Sequence, residues 1–496
     1  MMLRRRPNAA WLGLDLGTQS VRAILVSETG AILGVGSHKL TSHRDGARHE
    51  QSPEEWWSAA SIACQAALAS FPAGLNIAGV AVDGTSGTIL LVDGRGRALT
   101  PGLMYDDARA VEEANHANEM GAAVWEMLGY NRMQAVWGLP KLLWLLRHHN
   151  LSAPGTRLAH QSDFINRRLI GQAVATDTSN ALKTGVDLIA ERWPDAVFAD
   201  LGVPPEFLPP VVRAGTILGV VGPEAAKETN LPAGTPVIAG MTDGCAAQIG
   251  AGALSAGSWN SVLGTTLVLK GVSPSLIKDP AGVVYCHRSP DGNWLPGGAS
   301  STGAGAISKY FPERDLETMG TQAAERGPAG VITYALHGHG ERFPFIAQAA
   351  ETFTLGEPSD EIEKYAALLE GVAFIERLCF DYLDMLGAPI DGPLVLTGGG
   401  AKSRHWCQLR ANVLSRPVTL PENSEPAFGM AVLAAASGRK VADVAGEMVR
   451  VREVIAPCQD NARQLSESFL RLVDELGRRG WLAPAVAQHA YRRAGA

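Results

Sequence analysis

An aspartate interrupts the first strongly apolar run of the chain. Asp15 lies in "WLGLDLGTQS", between the apolar residues that begin at Trp11 and a tight connection that begins at Gly17. Strands disfavour aspartate, and burying its charge is costly unless a partner compensates it. A bound cation, a substrate hydroxyl or a backbone N–H would each supply that compensation. This segment alone leaves a functional and a purely structural Asp15 equally open.

The connection at Gly17 and Thr18 has a counterpart in the second half of the chain. "SWNSVLGTTLVLKGVS" repeats the order strand, Gly-Thr, strand, and its Gly264 comes 247 residues after Gly17. Short loops of Gly, Thr and Ser expose backbone N–H groups and hydroxyls to a phosphate chain. Any hairpin can contain one such loop. Two of them, each opening one half of the chain, favour a duplicated architecture with two phosphate-binding loops.

A third glycine cluster ends the predicted strand "PLVLTGGG" and leads into the predicted helix "AKSRHWCQLRANVL". Backbone amides at such a helix start suit a phosphate or the edge of a nucleotide. "GGGAKS" is not a Walker A loop, because Ala401 stands where glycine must precede the lysine, and no complete G-x-G-x-x-G occurs. The alternative is a strand-to-helix turn that needs glycine only for its own geometry.

Alternating strands and helices must position these loops, which is the pattern of an α/β protein. Ser52-Pro53-Glu54-Glu55 is a typical helix start, and "GTPVIAGMTDGCAAQIGAGAL" predicts a strand that leads to Asp243 and then a helix of small residues. Further segments show strand or helix patterns. The strands are predicted at 76–82 and 88–92, and the helices at about 108–121, 137–149 and 161–170.

Composition narrows the class of protein. With 496 residues, 46% of them hydrophobic, two large domains are expected rather than one core. The formal net charge of −7, without a long basic block, argues against nucleic acid or an anionic membrane as a main partner. The six cysteines are scattered without a C-x-x-C pair, so neither a disulfide framework nor a zinc site is indicated. We expect a cytoplasmic protein without membrane spans.

Taken together, these motifs resemble the FGGY carbohydrate kinases of the actin/hexokinase-like superfamily over about residues 11–440. "DLGTQS" and "SVLGTT" resemble the two phosphate loops of the family, and "GMTDGCAAQIGAG" resembles the segment with the catalytic aspartate. "GHGERFPF" and "TGGGAKSRHWCQLRANVLSRPV" are similar to nucleotide-domain signatures, and "YDDAR" and "TDTSNALKTGVD" to sugar-domain segments. The order and spacing of the set make the resemblance specific.

The resemblance implies an α/β fold with two actin/hexokinase-like (ribonuclease H-like) domains. Each domain is expected to be a mixed sheet flanked by helices, with a cleft between the two. The predicted division is 1–252 for sugar binding and catalysis, 253–450 for the nucleotide, and 451–496 for a helical tail that packs on the N-terminal domain. A monomer and a homodimer remain open.

The implied activity is ATP-dependent transfer of a phosphoryl group to an alcohol, which requires positioning, charge neutralisation and a base for the hydroxyl proton. Asp243 is the candidate base, and the alternative for it is an N-cap of the following helix. Asp15 and Asp243 are the candidate Mg²⁺ ligands, since Mg²⁺ favours carboxylates together with substrate phosphates. The candidate ATP-binding residues are Gly17, Thr18, Gln19, Gly264, Thr265, Thr266, Gly399, Gly400, Ser403 and Trp406.

The candidate sugar-binding residues are Asp15, Thr85, Ser86, Asp243 and Gly244. Xylulokinases carry a histidine in the segment that corresponds to Thr85-Ser86-Gly87, and here Gly87 takes its place. "DGTSGT" with "SVLGTTLVLK" resembles the D-ribulokinase-like branch instead, which implies D-ribulose as substrate and D-ribulose 5-phosphate as product.

Other readings of the sequence remain. One alternative is a kinase for D-xylulose, L-ribulose or glycerol. Another, from a different class, is a nucleotide-dependent binding protein of the actin/Hsp70 type. Asp107 and Arg109 either contact the sugar or form a surface ion pair.

Overall fold

The computed structural model describes residues 8–69, 76–149 and 153–495 of the chain. The chain divides into two compact units, each assembled from separate segments. The first unit comprises Met1–Gly252, His287–Asn293 and Asn423–Arg450. The second unit comprises Ala253–Cys286, Trp294–Glu422 and Val451–Ala496.

The part of the chain up to residue 252 begins with five strands in succession, and helices and strands are mixed after them. The strands are β1 (Ala9–Leu16), β2 (Ser20–Ser27), β3 (Ile32–Lys39), β4 (His43–Asp45), β5 (Arg48–Gln51), β6 (Asn76–Gly84), β7 (Ile89–Val92), β8 (Gly102–Leu103), β9 (Arg157–His160), β10 (Thr176–Asp177), β11 (Val211–Val212), β12 (Ile217–Val220) and β13 (Pro236–Ile238). The helices are α1 (Pro53–Leu68), α2 (Val111–Met127), α3 (Gly138–His148), α4 (Gln161–Ile170), α5 (Thr178–Ala181), α6 (Asp195–Asp200), α7 (Pro223–Thr229) and α8 (Asp243–Gly250).

The elements after residue 252 follow the same plan. The strands are β14 (Trp259–Leu263), β15 (Leu267–Gly271), β16 (Tyr285–Arg288), β17 (Trp294–Ser300), β18 (Ile332–Tyr334), β19 (Phe353–Leu355), β20 (Leu394–Thr397), β21 (Val418–Pro421) and β22 (Val451–Ile455). The helices are α9 (Ala304–Tyr310), α10 (Leu316–Arg326), α11 (Glu361–Met385), α12 (Arg404–Leu414), α13 (Pro426–Ala435), α14 (Val441–Met448), α15 (Ala462–Arg478) and α16 (Pro484–Gly495). The elements predicted at 76–82, 88–92, 108–121, 137–149 and 161–170 correspond to β6, β7, α2, α3 and α4.

The first unit is built on a mixed sheet with the strand order β12-β13-β6-β1-β2-β3. Alternate residues of β1, Leu12, Leu14 and Leu16, are fully buried in a core that includes Trp56 of α1. Successive side chains of a strand point to opposite faces, and α13 covers the other face by packing against β1 and β6. The sheet is therefore sandwiched between helices, as predicted.

The second unit contains a sheet in which β17, β15, β14, β20, β21 and β22 follow one another. β14 runs parallel to β20 and antiparallel to β15. The long helix α11 packs against β14 through an edge-to-face contact of Phe380 with Trp259, with 5.6 Å between the ring centroids. In the described residues of both units, no helix is long and apolar enough to cross a membrane.

The division of the chain differs from the prediction in two places. Residues 423–450, assigned from the sequence to the nucleotide domain, return to the first unit, where they form α13 and α14. The tail 451–496, predicted to pack on the N-terminal domain, belongs to the second unit. In the tail, Phe469 of α15 contacts Phe374 of α11, and Arg493 of α16 donates to Asp381 of α11 at 2.8 Å. The apolar and charged partners of the tail are thus supplied by α11.

Candidate active site

Three aspartates converge at the carboxyl ends of adjacent parallel strands in the first unit. β1 runs parallel to β6, and Asp15 is the direct partner of Asp83 in their register. β13 runs parallel to β6 on its other side, and a parallel bridge joins Gly84 to Thr242, immediately before Asp243. The carboxyl ends of parallel strands are where ligands bind in α/β sheets. The sequence indicated Asp15 and Asp243 as site residues but did not single out Asp83.

The local backbone places Asp243 by close packing. A Cβ added at Gly240 would lie 2.0 Å from the carbonyl oxygen of Val82, so only glycine lets the end of β13 approach β6 this closely. Ser179 then holds the turn, because its Oγ lies 3.2 Å from the amide nitrogen of Thr242. The N-cap of α8 is Thr242, and Asp243 is the first helical residue. Asp243 is therefore not the N-cap of α8, which was the alternative role for it.

The three carboxyl groups share a strongly unfavourable site for negative charge. Burial raises the pKa of Asp15 to about 7, and the charges of Asp243 and Glu425 add to this effect. Asp83 is fully buried, and its pKa lies well above the usual value, first because of burial and then because of the charges of Asp15 and Asp243. Such a site favours a cation or a proton over three free carboxylates.

The carboxylate oxygens of Asp15 and Asp243 are of the kind that binds Mg²⁺. Mg²⁺ binds proteins through one or two carboxylates and keeps its remaining positions for water and substrate phosphates. Asp15 and Asp243 supply two half-buried carboxylates beside the buried Asp83. In the described part of the chain, no group of three or more His, Cys, Asp or Glu side chains is placed to hold a metal ion by itself. The arrangement suits a cation that the substrate helps to bind.

The loop Gly17–Gln19 is partly exposed and is anchored through its carbonyl groups. The Thr18 carbonyl accepts from Gln51 Nε2 at 2.7 Å, and the Gln19 carbonyl accepts from the amide of Leu40 at 2.9 Å. Gln51 is itself buried and receives a hydrogen bond from Trp56 Nε1 at 2.7 Å. Gln51 is therefore a positioning residue of this loop, and nothing in its local sequence distinguished it.

The two glycine-containing loops of the second unit lie side by side. β14 and β20 are parallel neighbours with Val262 opposite Thr397, so the loop 264–266 and the turn 398–403 leave the same edge of the sheet. Thr265 is exposed, whereas the Gly264 and Thr265 carbonyls accept from the amides of Ala304 and Gly305 at 2.9 and 3.1 Å. The loop is held through its carbonyls, as in the first unit.

The turn after β20 forms a 3₁₀ segment, Gly399–Lys402, before α12 begins. Ser403 caps α12, and its Oγ accepts from the amide of Trp406 at 3.3 Å. Trp406 differs from the prediction: its indole is 4% exposed and its Nε1 donates to the carbonyl of Leu369 in α11 at 3.1 Å. Trp406 is thus a packing residue between two helices and does not present its ring to a nucleotide.

The side chain of Thr85, a candidate sugar-binding residue, is also used inside the protein. Its side chain is buried, and its Oγ1 lies 2.6 Å from Thr88 Oγ1 and donates to Gln161 Oε1 at 2.8 Å. The hydroxyl therefore serves the internal packing of the loop and is not free for a substrate. Gly244 uses its amide locally as well, donating to Asp243 Oδ1 at 2.7 Å. Backbone and carboxylate are fixed together there.

Ser86 and Lys183 form the other side of the same loop. Ser86 is half-buried, its Oγ has no hydrogen-bond partner among the described residues, and its carbonyl accepts from Lys183 Nζ at 3.2 Å. Gly87 has a φ of +91°, and a Cβ added there would lie 3.1 Å from Lys183 Cδ. A histidine at position 87 would be strained and would crowd the lysine. Lys183 was not identified as a site residue from the sequence, although it is the one charged residue in "TSNALKTG".

Asp107 and Arg109 form a buried ion pair. Arg109 donates through Nε and Nη2 to the two oxygens of Asp107 at 2.9 and 2.7 Å and through Nη2 to Glu50 at 2.5 Å. Its guanidinium also lies 4.7 Å from the ring centroid of Trp144. Asp107 is fully buried, so this pair is neither at the surface nor available to a sugar.

Comparison with known proteins agrees with this architecture. Residues 10–250 match the N-terminal domain of the FGGY family of carbohydrate kinases, and residues 260–438 match its C-terminal domain. The xylulose kinase of Klebsiella pneumoniae is 28% identical over 458 residues, covering 88% of this chain and 92% of that protein. An autoinducer-2 kinase from Klebsiella pneumoniae subsp. pneumoniae is 28% identical, with 85% of each chain covered.

A solved structure extends the comparison to the whole fold. The crystal structure of xylulose kinase from Rhodospirillum rubrum has a TM-score of 0.82 and 28% sequence identity, and it covers 94% of this chain and 99% of that one. The predicted two-domain α/β fold is confirmed. Both halves of the chain match the two domains of one family, so this protein belongs to the FGGY family of carbohydrate kinases and is an ATP-dependent carbohydrate kinase.

Proposed function

We propose that this kinase phosphorylates a ketopentose and that D-ribulose, converted to D-ribulose 5-phosphate, is its preferred substrate. The observation that carries the proposal is the loop of Ser86 and Gly87 beside Lys183. Gly87 stands where xylulokinases place an imidazole, and its positive φ and its contact with Lys183 disfavour any larger side chain. The loop offers the Ser86 hydroxyl and the Lys183 ammonium as hydrogen-bonding groups for a polyol.

The aspartates take complementary roles in the proposed reaction. Asp243 accepts the proton of the sugar hydroxyl while that oxygen forms its bond to the γ-phosphorus of ATP and ADP leaves. Asp15 and Asp243 would hold Mg²⁺, which neutralises charge on the phosphates. Asp83 is the buried neighbour that fixes Asp15 from the adjacent strand.

ATP binds, in this proposal, through the anchored loops. In the first unit Thr18 and Gln19 supply amides and a hydroxyl, and Gly17 keeps the loop open to a phosphate. In the second unit the loop 264–266 has the same role. Gly399, Gly400 and Ser403 lie beside that second loop and form the edge for the nucleotide. Each loop is anchored by its carbonyls, and the amides of Gly17 and Gly264 close their own loops by donating to the carbonyls of Ser20 and Thr266 at 3.1 Å. The donors proposed for phosphate oxygens are therefore the remaining ones, among them the hydroxyl groups of Thr18 and Thr265.

D-xylulose is the second candidate substrate, and a specific observation favours it. The curated relative from Klebsiella pneumoniae and the solved structure from Rhodospirillum rubrum are both named xylulose kinases. D-ribulose and D-xylulose differ only in the configuration at C3, so one hydroxyl that finds or misses a partner must discriminate between them. A site built to bond that hydroxyl discriminates strongly, because a misplaced one leaves buried polar groups unpaired.

A coupled ADP-release assay with D-ribulose, D-xylulose, L-ribulose and glycerol tests the proposal. We expect kcat/KM for D-ribulose to exceed that for D-xylulose at least tenfold, which corresponds to about 1.4 kcal/mol in the transition state. Ser86→Ala should narrow this ratio, whereas Ser58→Ala, an exposed serine of α1, should leave it unchanged. A higher kcat/KM for any other acceptor rejects D-ribulose and leaves the kinase activity in place.

A further inference from the structure

The second unit contains a cavity that none of the candidate sugar- or ATP-binding residues lines. It has a volume of about 520 Å³ and lies among α11, the end of α12 and the tail helices α15 and α16. This volume is within the range of small-molecule sites. Its wall combines apolar and charged side chains, among them Arg377, Phe380, Asp381, Val413, Arg416 and Arg493.

Two of the cavity's arginines have no direct ion pair with a carboxylate among the described residues. Arg377 makes one long hydrogen bond, 3.5 Å from Nη1 to the carbonyl of Val413, and its guanidinium lies 4.3 Å from the ring centroid of Phe469. Arg416 donates only to carbonyls, those of Ile390 and Gly392. Neither guanidinium contacts a carboxylate among the residues that the structure describes, although Asp381 attracts Arg377 and Asp391 attracts Arg416 through space. A guanidinium has five N–H donors, so both have donors to spare for a ligand.

The carboxylates of the wall cancel this charge only in part. Asp381 accepts from Arg493 at 2.8 Å, and Arg493 also pairs with Asp384 at 2.9 Å, so one guanidinium serves two carboxylates, of which only Asp381 lines the cavity. Burial raises the pKa of Asp381 to about 6, so this carboxyl group is still mostly charged at neutral pH. Asp391 is exposed to water. The charged residues of the wall are therefore three arginines and two aspartates, which leaves an excess of one positive charge.

A helix end adds to the positive potential. Ala462, Leu465 and Ser466 of the wall belong to the first turns of the 17-residue helix α15, and its N-cap Asn461 makes no side-chain cap bond. The N-terminus of a helix attracts anions. The last carbonyls of α12, which would repel an anion, are occupied, since Asn412 accepts from the amide of Ser415 at 3.1 Å and Val413 accepts from Arg377.

We propose that this cavity binds a small phosphorylated metabolite. Arg377 and Arg416 bind the phosphoryl group, for which the planar guanidinium is the best-suited side chain. The remainder of the molecule lies against the apolar wall of Phe380, Ile390 and Leu465. A sugar phosphate and a nucleotide share this chemistry. The site is separate from the proposed kinase function, because it requires neither Asp243 nor the phosphate loops.

Isothermal titration calorimetry on the full-length protein tests the site with inorganic phosphate, D-ribulose 5-phosphate and ADP as separate probes. The informative pair of variants is Ser466→Glu and Ser466→Gln, which are equal in size and differ only in charge at the cavity wall. We expect at least one probe to bind the unchanged protein and Ser466→Gln with similar Kd and Ser466→Glu at least tenfold more weakly. The probe with the largest difference identifies the source of the phosphoryl group.

A second pair keeps the test decisive if Ser466→Glu does not fold. Arg377→Gln removes a guanidinium with a single weak bond and should reduce the same binding at least tenfold. Arg314→Gln removes an exposed arginine that pairs with Glu361 and should have no effect. Equal Kd values in each pair for all three probes overturn the proposal. Binding is measured without turnover, so this outcome is independent of the proposed substrate.

Discussion

Asp15 and Asp83 are direct cross-strand partners in the parallel pair β1–β6. Their side chains share one edge of the sheet, and because side chains alternate along a strand, a slip of one residue would send Asp15 to the opposite face. Burial of this pair raises the pKa of both carboxyl groups. The register of two strands thus creates the charge environment into which β13 delivers Asp243.

The proposed base predicts a large and selective loss of turnover. Asp243→Asn keeps the size of the side chain and an acceptor for the amide of Gly244, but it cannot take a proton. We expect kcat to fall by about two to four orders of magnitude while ATP affinity, measured by calorimetry, stays within about twofold. The control is Asp200→Asn, an exposed residue at the end of α6. Near-normal turnover in Asp243→Asn contradicts the assignment.

The position of Lys183 beside Ser86 predicts that replacing this lysine weakens sugar binding and leaves ATP binding unchanged. Lys183→Met keeps the aliphatic length beside Gly87 and removes the ammonium that reaches the Ser86 carbonyl. We expect KM for the preferred ketose to rise about tenfold, which is a loss of roughly 1.4 kcal/mol, with KM for ATP unchanged. Lys227→Met, an exposed lysine of α7, serves as the control. An unchanged sugar KM removes Lys183 from the site.

The close packing at Gly240 predicts that one added methyl group displaces Asp243 and lowers activity. In Gly240→Ala the new methyl group would meet the Val82 carbonyl, so β13 must move away from β6 and carry Asp243 with it. We expect a cost of about 1–3 kcal/mol in unfolding free energy and at least a tenfold loss of kcat. Gly446→Ala, in α14 of the same unit with no atom within 4 Å of the new group, should be neutral or stabilising. Equal stability of the two variants refutes the packing argument.

The buried carboxyl group of Glu370 should make the unfolding free energy of the second unit depend on pH. Burial raises the pKa of Glu370 from 4.5 to about 8, with a smaller contribution from the charge of Glu363. Between these values the folded state holds a proton that the unfolded state has lost, so stability falls as pH rises from about 4.5 through about 8. The loss of unfolding free energy is at most of order 5 kcal/mol.

Glu370→Gln removes this dependence and keeps an oxygen for the hydrogen bond from the amide of Ala329. We expect its unfolding midpoint to match that of the unchanged protein near about pH 5 and to exceed it near about pH 8.5, as measured by fluorimetry. Glu357→Gln, an exposed residue, should follow the unchanged protein at both values. Parallel curves for Glu370→Gln and the unchanged protein contradict the prediction.

The sequence by itself determined the features that depend on local pattern. The apolar strands, the Gly-Thr loops, and the positions of Asp15 and Asp243 at strand ends are readable from composition and spacing, because hydrophobic periodicity and glycine act over a few residues. The two-domain α/β fold and the membership of the FGGY family followed from those motifs in order and are confirmed.

The tertiary structure decided which partner each side chain finds. Thr85 donates to Gln161 and Trp406 donates to Leu369, and both contacts join residues that are far apart in the chain. Asp107 binds Arg109 inside the unit. Asp83 became a site residue only because the register of β1 and β6 sets it opposite Asp15. The tail likewise packs on α11, because burial of its apolar face depends on a surface formed by distant residues, which no local pattern encodes.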